Sequence, residues 1–132
     1  MSFFSLNIIT DNLHETYVGI SEVLNLFPDD HYDSANPNSE WKSIYEERYC
    51  LWVYSEDFFD TVINSEVINS ILDAIEPNFV HLEKLGITKD KIFFILHTET
   101  ESCTDIIFNS KDMLRLGKIG IELTISNSII KD

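Results

Sequence analysis

Basic side chains are scarce here: 9 Lys and Arg stand against 23 Asp and Glu, a formal charge of −14. Clusters of Lys and Arg are what hold a protein to a phosphate backbone or an anionic leaflet, so this composition argues against direct binding to nucleic acid or membrane. Glycine is equally sparse, with four in the chain. No glycine-rich loop for cradling phosphate can be assembled, and no GxSxG nucleophile turn occurs. The pair in GKIG, Gly117 and Gly120, is read as the end of a short helix and the entry to a strand. The two cysteines, Cys50 and Cys103, lie far apart inside apparent strands and form no CxxC motif, so they are read as free buried thiols. Apolar runs fall far short of the ~20 residues that span a bilayer. The opening MSFFSLNIITDN has no basic region, long apolar block or cleavage site, and a cytoplasmic location is expected.

Apolar residues are plentiful. Hydrophobic side chains make up 44% of the 132 residues, with nine Phe, five Tyr and two Trp, enough to bury a core and offset the entropy of ordering. The length is that of one domain, residues 1–132, which hides roughly two thirds of its unfolded surface.

Periodicity supplies the elements. Phe4, Leu6 and Ile8 alternate with Ser5 and Asn7, predicting a strand over 3–11. Ile20, Val23, Leu24 and Phe27 share a helical stripe, which predicts a helix from about 15 to 27 stopped by Pro28. A polar loop follows over 28–40, then a bent strand or hairpin over 41–54. Val67, Ile68, Ile71, Leu72 and Ile75 predict the longest helix, with Asn64 or Ser65 as its N-cap; Pro77 starts a second helical segment or kinks the first. Strands over 91–98 and 121–126 flank a short extended segment at 104–109 and a helix capped by Ser110. Strands alternating with helices predict an α+β fold: a two-layer sandwich, ferredoxin-like in spirit, with a mixed sheet of four to five strands and helices packed on one face.

LHETYVGISEVLNLFP, the Trp-bearing YCLWVYS, INSILDAIEPNFVHLEKLGI and FNSKDMLRLGKIGIELTIS follow one another in an order that resembles the bacterial domain-of-unknown-function family 4279 over nearly the whole chain. The resemblance rests on structural motifs. It implies a small α+β protein and brings no assigned chemistry or catalytic residue.

The stretch FPDDHYD, Phe27 to Asp33, places three carboxylates beside an imidazole. A calcium loop needs graded oxygen ligands, a turn glycine and a closing Glu, and zinc needs further His or Cys at short spacing; neither pattern is present, and no metal or other cofactor is expected. Glu46 with Glu47, or Glu56 with Asp57, would have to flank one bond for glycoside chemistry, but neighbours in a strand point to opposite faces.

Charge placement is the informative feature. Residues 1–83 carry 16 of the 23 acidic side chains but, of the basic ones, only Lys42 and Arg48, so this portion holds the entire −14 while residues 84–132 sum to zero. The acids Asp29, Asp30, Asp33, Glu46, Glu47, Glu56 and Asp57 are interleaved with Tyr32, Trp41 and Tyr45. Aromatics in a field of one sign have the makings of a docking surface, the rings supplying buried area and the charges steering encounter. These ten residues are the expected partner-binding set. The expected function is that of a bacterial immunity protein neutralising a cognate toxin domain, a basic nuclease being the best electrostatic match, with no enzymatic activity of its own. The alternative is a small-molecule-binding or regulatory domain using the sheet face as a pocket floor; an enzyme centred on His31 or His97 is the third reading.

Overall fold

A computed structural model describes residues 2–11, 14–29, 32–33, 49–58, 64–100 and 107–129. Five strands, β1 (Ser2–Asp11), β2 (Tyr32–Asp33), β3 (Tyr49–Phe58), β4 (Ile92–Thr100) and β5 (Glu122–Ile129), form one sheet in the order β2-β3-β1-β4-β5. β1 runs antiparallel to both β3 and β4, β2 antiparallel to β3, and β4 parallel to β5. The sheet is therefore mixed. A parallel neighbour cannot be reached by a tight turn; the β4 to β5 connection accordingly contains a helix, α4 (Ser110–Ile119).

The period of two decides which residues face the helices. Phe4, Leu6 and Ile8 of β1, Trp52 of β3, and Phe94 and Leu96 of β4 are fully buried against α1 (His14–Leu24), α2 (Ser65–Ile75) and α4. Those helices contribute Ile20 and Leu24, the stripe Ile68, Ile71, Leu72 and Ile75, and Leu116 with Ile119. A smaller cluster, Leu51 and Val53 with Ile9 and Phe93, occupies the opposite face. The result is an α+β sandwich with its helices on one face. None of its described helices is long and apolar enough to cross a membrane.

Several boundaries follow from local chemistry. Asn64 caps α2, its side chain accepting from the backbone N–H groups of Glu66 at 2.9 Å and Val67 at 3.4 Å. Pro77 lies in a single 3-10 turn, Glu76–Asn78, which joins α2 to α3 (Phe79–Lys84) and lets Leu82 reach the core. Gly86, at φ 84°, ends α3: the Ile87 N–H reaches Leu82 O at 3.0 Å and the Gly86 N–H reaches Glu83 O at 2.9 Å, a Schellman closure that needs a left-handed residue there. The cap of α4 is Asn109 and not the expected Ser110; the Asn109 side chain accepts the Asp112 N–H at 2.8 Å.

α4 is tied to α2 through a buried carboxylate. Asp112 is 4% exposed, and its Oδ1 accepts from Ser65 Oγ and Asn69 Nδ2, each at 3.0 Å. Arg115 extends the link, donating to Asn69 Oδ1 at 2.5 Å and to Asp73 Oδ1 at 2.6 Å. Removing an acceptor from such a network strands its buried donors. Asp112→Ala is expected to lower unfolding free energy by about 2–3 kcal/mol, measured by urea denaturation, while Asp73→Ala, which removes an exposed carboxylate from Arg115, costs under about 1 kcal/mol.

Candidate functional site

The chain leaves α1 in a way that periodicity alone does not show. Asn25 adopts φ 54° and the Leu26 N–H returns to Ser21 O at 3.3 Å, so the helix closes after Leu24 with Asn in the left-handed position usually held by Gly. Leu26 folds back against the core, and Phe27 is thrown outward, 90% exposed. The expectation that Phe27 continues the buried stripe of α1 is corrected by this cap. Phe27 was not among the expected binding residues.

The acidic stretch that follows lies along an edge strand. The Asp29 N–H donates to Val53 O at 2.7 Å, and Tyr32 and Asp33 then register with Leu51 and Cys50 of β3. Asp29 also uses its side chain: Oδ2 accepts the Ser55 N–H at 2.8 Å and the Ser55 hydroxyl. One carboxylate of FPDDHYD thus fastens the segment to β3, satisfying an edge N–H that water would otherwise take.

Trp52 sets the distance between this edge and α1. Fully buried on β3, it donates its indole N–H to Ser21 Oγ at 2.9 Å. Beside that contact runs a groove of about 290 Å³ lined by Val18, Ser21, Glu22, Asn25, Leu26 and Phe27. Its rim carries Glu22 and it opens next to the Phe27 ring.

Glu56 and Asp57 part company, as strand geometry requires. Glu56 registers with Phe4 and shares its helix-facing side, whereas Asp57 registers with Phe3 on the opposite face and is exposed. Glu56 Oε2 is buried without a hydrogen-bond partner among the described residues. Burial first, then the Glu56 and Asp29 charges and a hydrogen bond to Glu56, hold the Tyr54 phenol above its ordinary value of 10.0. The structure therefore gathers Asp29, Tyr54 and Glu56 electrostatically, places Glu22 and Phe27 along the groove, and leaves Asp57 on the other face. Tyr32 and Asp33 are placed by register alone. Asp30, Trp41, Tyr45, Glu46 and Glu47 lie outside the described residues, as does His31.

The Tyr54 shift has a sign that can be checked. A phenol whose folded pKa is raised stays neutral in the fold while the unfolded chain ionises from about pH 10, so its share of stability is complete below that pH and is lost as pH rises further. Tyr54→Phe is expected to show a shallower loss of stability above pH 10 than the wild type, measured by denaturation at matched ionic strength.

His97 belongs to a second polar group, on the sheet face turned from the helices. Ser126 Oγ lies 2.7 Å from His97 Nδ1, His97 Nε2 lies 3.6 Å from Glu99 Oε1, and Phe3 stacks on the imidazole with centroids 5.1 Å apart. The Ser126 contact joins β5 to β4, the Phe3 ring joins β1 to β4, and the Glu99 contact lies within β4. No group of three or more His, Cys, Asp or Glu that could hold a metal ion occurs among the described residues.

Sequence charge becomes spatial charge through the strand order. β2, β3 and β1, all from the acidic portion, occupy one side of the sheet; β4 and β5, from the neutral portion, occupy the other. Had the order interleaved early and late strands, the two portions would have mixed. Instead the described strands put Glu56 and Asp57, with Asp29 beside them, on the β2–β3 side of the sheet, whereas α2 and the turn after it, also from the acidic portion, set Asp73 and Glu76 against Arg115 of α4. The chain matches no family model, no curated protein and no solved structure.

Proposed function

We propose that this protein is an immunity-type inhibitor, which binds a cognate basic toxin domain through the acidic end of its sheet and blocks it without chemistry of its own. The observation that carries this reading is Phe27, 90% exposed at the mouth of a groove with Glu22 on its rim and Asp29 two residues on, at the acidic β2–β3 side of the sheet. Aromatic residues dominate the energetics of protein–protein contacts, and this ring is free to fill a partner's pocket. Repulsion among many like charges is a stability cost that a cationic partner would relieve. Toxins that cut nucleic acid carry positive clefts for the phosphate backbone, and an inhibitor of such a cleft needs the opposite field. A cytoplasmic location and the likeness to family 4279 belong to the same proposal.

The test is co-expression with the product of the adjacent reading frame. A toxic product whose toxicity disappears on co-expression, and which co-purifies in one-to-one stoichiometry, supports the reading. A product that neither harms the cell nor binds overturns it.

A further inference from the structure

The two edges of this sheet are built differently. β2, described over Tyr32–Asp33, follows Pro28, contains Asp33 and has Asp29 three residues before it. Short length, proline and charge are the usual protections of an edge strand, because its unpaired N–H and C=O groups otherwise recruit another strand. β5 has little of this protection. It runs eight residues, ELTISNSI, with Glu122 as its one charge and no Pro or Lys, and among the described residues it pairs on one side only, with β4. Ile125 and Ile129 are 48% and 44% exposed along it, and α4 beside it leaves Met113 and Leu114 exposed as well.

We propose that β5 pairs with β5 of a second copy of this chain, in antiparallel register about a two-fold axis at Ile125. The register follows from the strand itself. A two-fold axis perpendicular to the sheet keeps both helix layers on one side, so residues of equal parity must oppose each other. Centred on Ile125, the pairing sets Ile125 against its own copy, Thr124 against Ser126, Leu123 against Asn127 and Glu122 against Ser128. No like charges meet.

Charge decides in favour of a second copy at this edge. Two chains of −14 repel, and contact through β2 would bring their acidic ends together. Contact through β5 uses the portion whose charge sums to zero and leaves the acidic ends at opposite limits of a ten-stranded sheet. At about 4.8 Å per strand those limits are roughly 43 Å apart, some five times the ~8 Å screening length at physiological salt. The pairing thus meets less repulsion than contact through β2 would, and it leaves both β2 edges open to partners. It stands independently of what those partners are.

The experiment is the mass of the purified full chain by light scattering, from about 1 µM to about 100 µM, a range that spans a micromolar dimer. The wild type is expected to pass from monomer to dimer, with amides of 122–129 gaining exchange protection as concentration rises. Ile125→Lys sets two ammonium groups face to face at the axis and is expected to raise the dimer Kd by at least roughly tenfold, while Val80→Lys, on an exposed face of α3, leaves it unchanged. Ile125→Cys is expected to yield a disulfide-linked dimer on mild oxidation, which the wild type, with Cys50 and Cys103 alone, does not. A wild type that stays monomeric at the highest concentration overturns the proposal and leaves the edge to a strand from another protein. A dimer indifferent to Ile125→Lys, or one that Ile125→Cys does not cross-link, overturns it as well.

Discussion

Phe27→Ala is expected to weaken binding to the proposed toxin partner by about 2 kcal/mol or more, roughly 30-fold in Kd, while leaving the protein's own stability within about 0.5 kcal/mol of wild type. The two halves of that expectation have one cause. A ring 90% exposed contributes almost nothing to the fold, because removing it opens no cavity and unpairs no polar group. In a complex the same ring is the largest apolar body at the mouth of the groove, and its loss appears mainly as faster dissociation. Glu22→Lys acts on the other rate. Reversing a rim charge slows encounter and leaves dissociation less affected, so it should cost roughly tenfold in association rate at low salt. Asp57→Lys makes the same change of charge on the opposite sheet face and should cost markedly less. Isothermal titration and stopped-flow kinetics on these three variants separate anchor, steering charge and bystander.

Trp52→Ala is the substitution expected to damage the fold most, by about 3–5 kcal/mol, a large share of the roughly 5–15 kcal/mol that holds a domain of this kind together. Trp52 is the largest side chain that is wholly enclosed, and it fills the space between β3 and α1. Truncation leaves a cavity bounded by elements that cannot close on one another without shifting the sheet, and it also strips Ser21 of its 2.9 Å donor. Trp52→Phe keeps most of the volume and loses the hydrogen bond, at about 1–1.5 kcal/mol. Because Ser21 lies on the groove wall, both variants should also weaken partner binding, in proportion to how far α1 moves. Thermal unfolding alongside titration shows whether the two losses track each other.

What could be read from the chain beforehand was what depends on neighbours in sequence. The stripe of α2 and the alternation of β1 announce themselves, since one buried face imposes a period of 3.6 or of two. The prediction for β3 ended at Tyr54, before the polar SEDF; the strand runs on to Phe58 because Glu56 and Asp57 register with Phe4 and Phe3 of a long partner, and tertiary pairing outweighs their poor strand propensity. α1 was expected to reach Phe27, but an asparagine in the left-handed conformation closed it three residues sooner. That Asn25 before Leu26-Phe27-Pro28 was the signal for an exposed ring, and the apolar spacing masked it. Counting charges revealed that one part of the chain was acidic; it did not reveal that the strand order would keep that part together, since pairing between distant segments leaves no local trace. Nor could composition distinguish Asp29, which is engaged with Ser55, from Asp57, which faces solvent on the other side.

In the proposed complex, steering of a cationic partner onto the Phe27 groove by acidic charge sets the rate of encounter. Its most direct test is the association rate with the co-purified toxin measured across a salt series for wild type and Glu22→Lys. The account predicts a wild-type rate that falls steeply as salt rises, a flatter slope for Glu22→Lys, and convergence of the two at high ionic strength, where screening removes the difference. Equal slopes for both proteins, or a wild-type rate indifferent to salt, would contradict it.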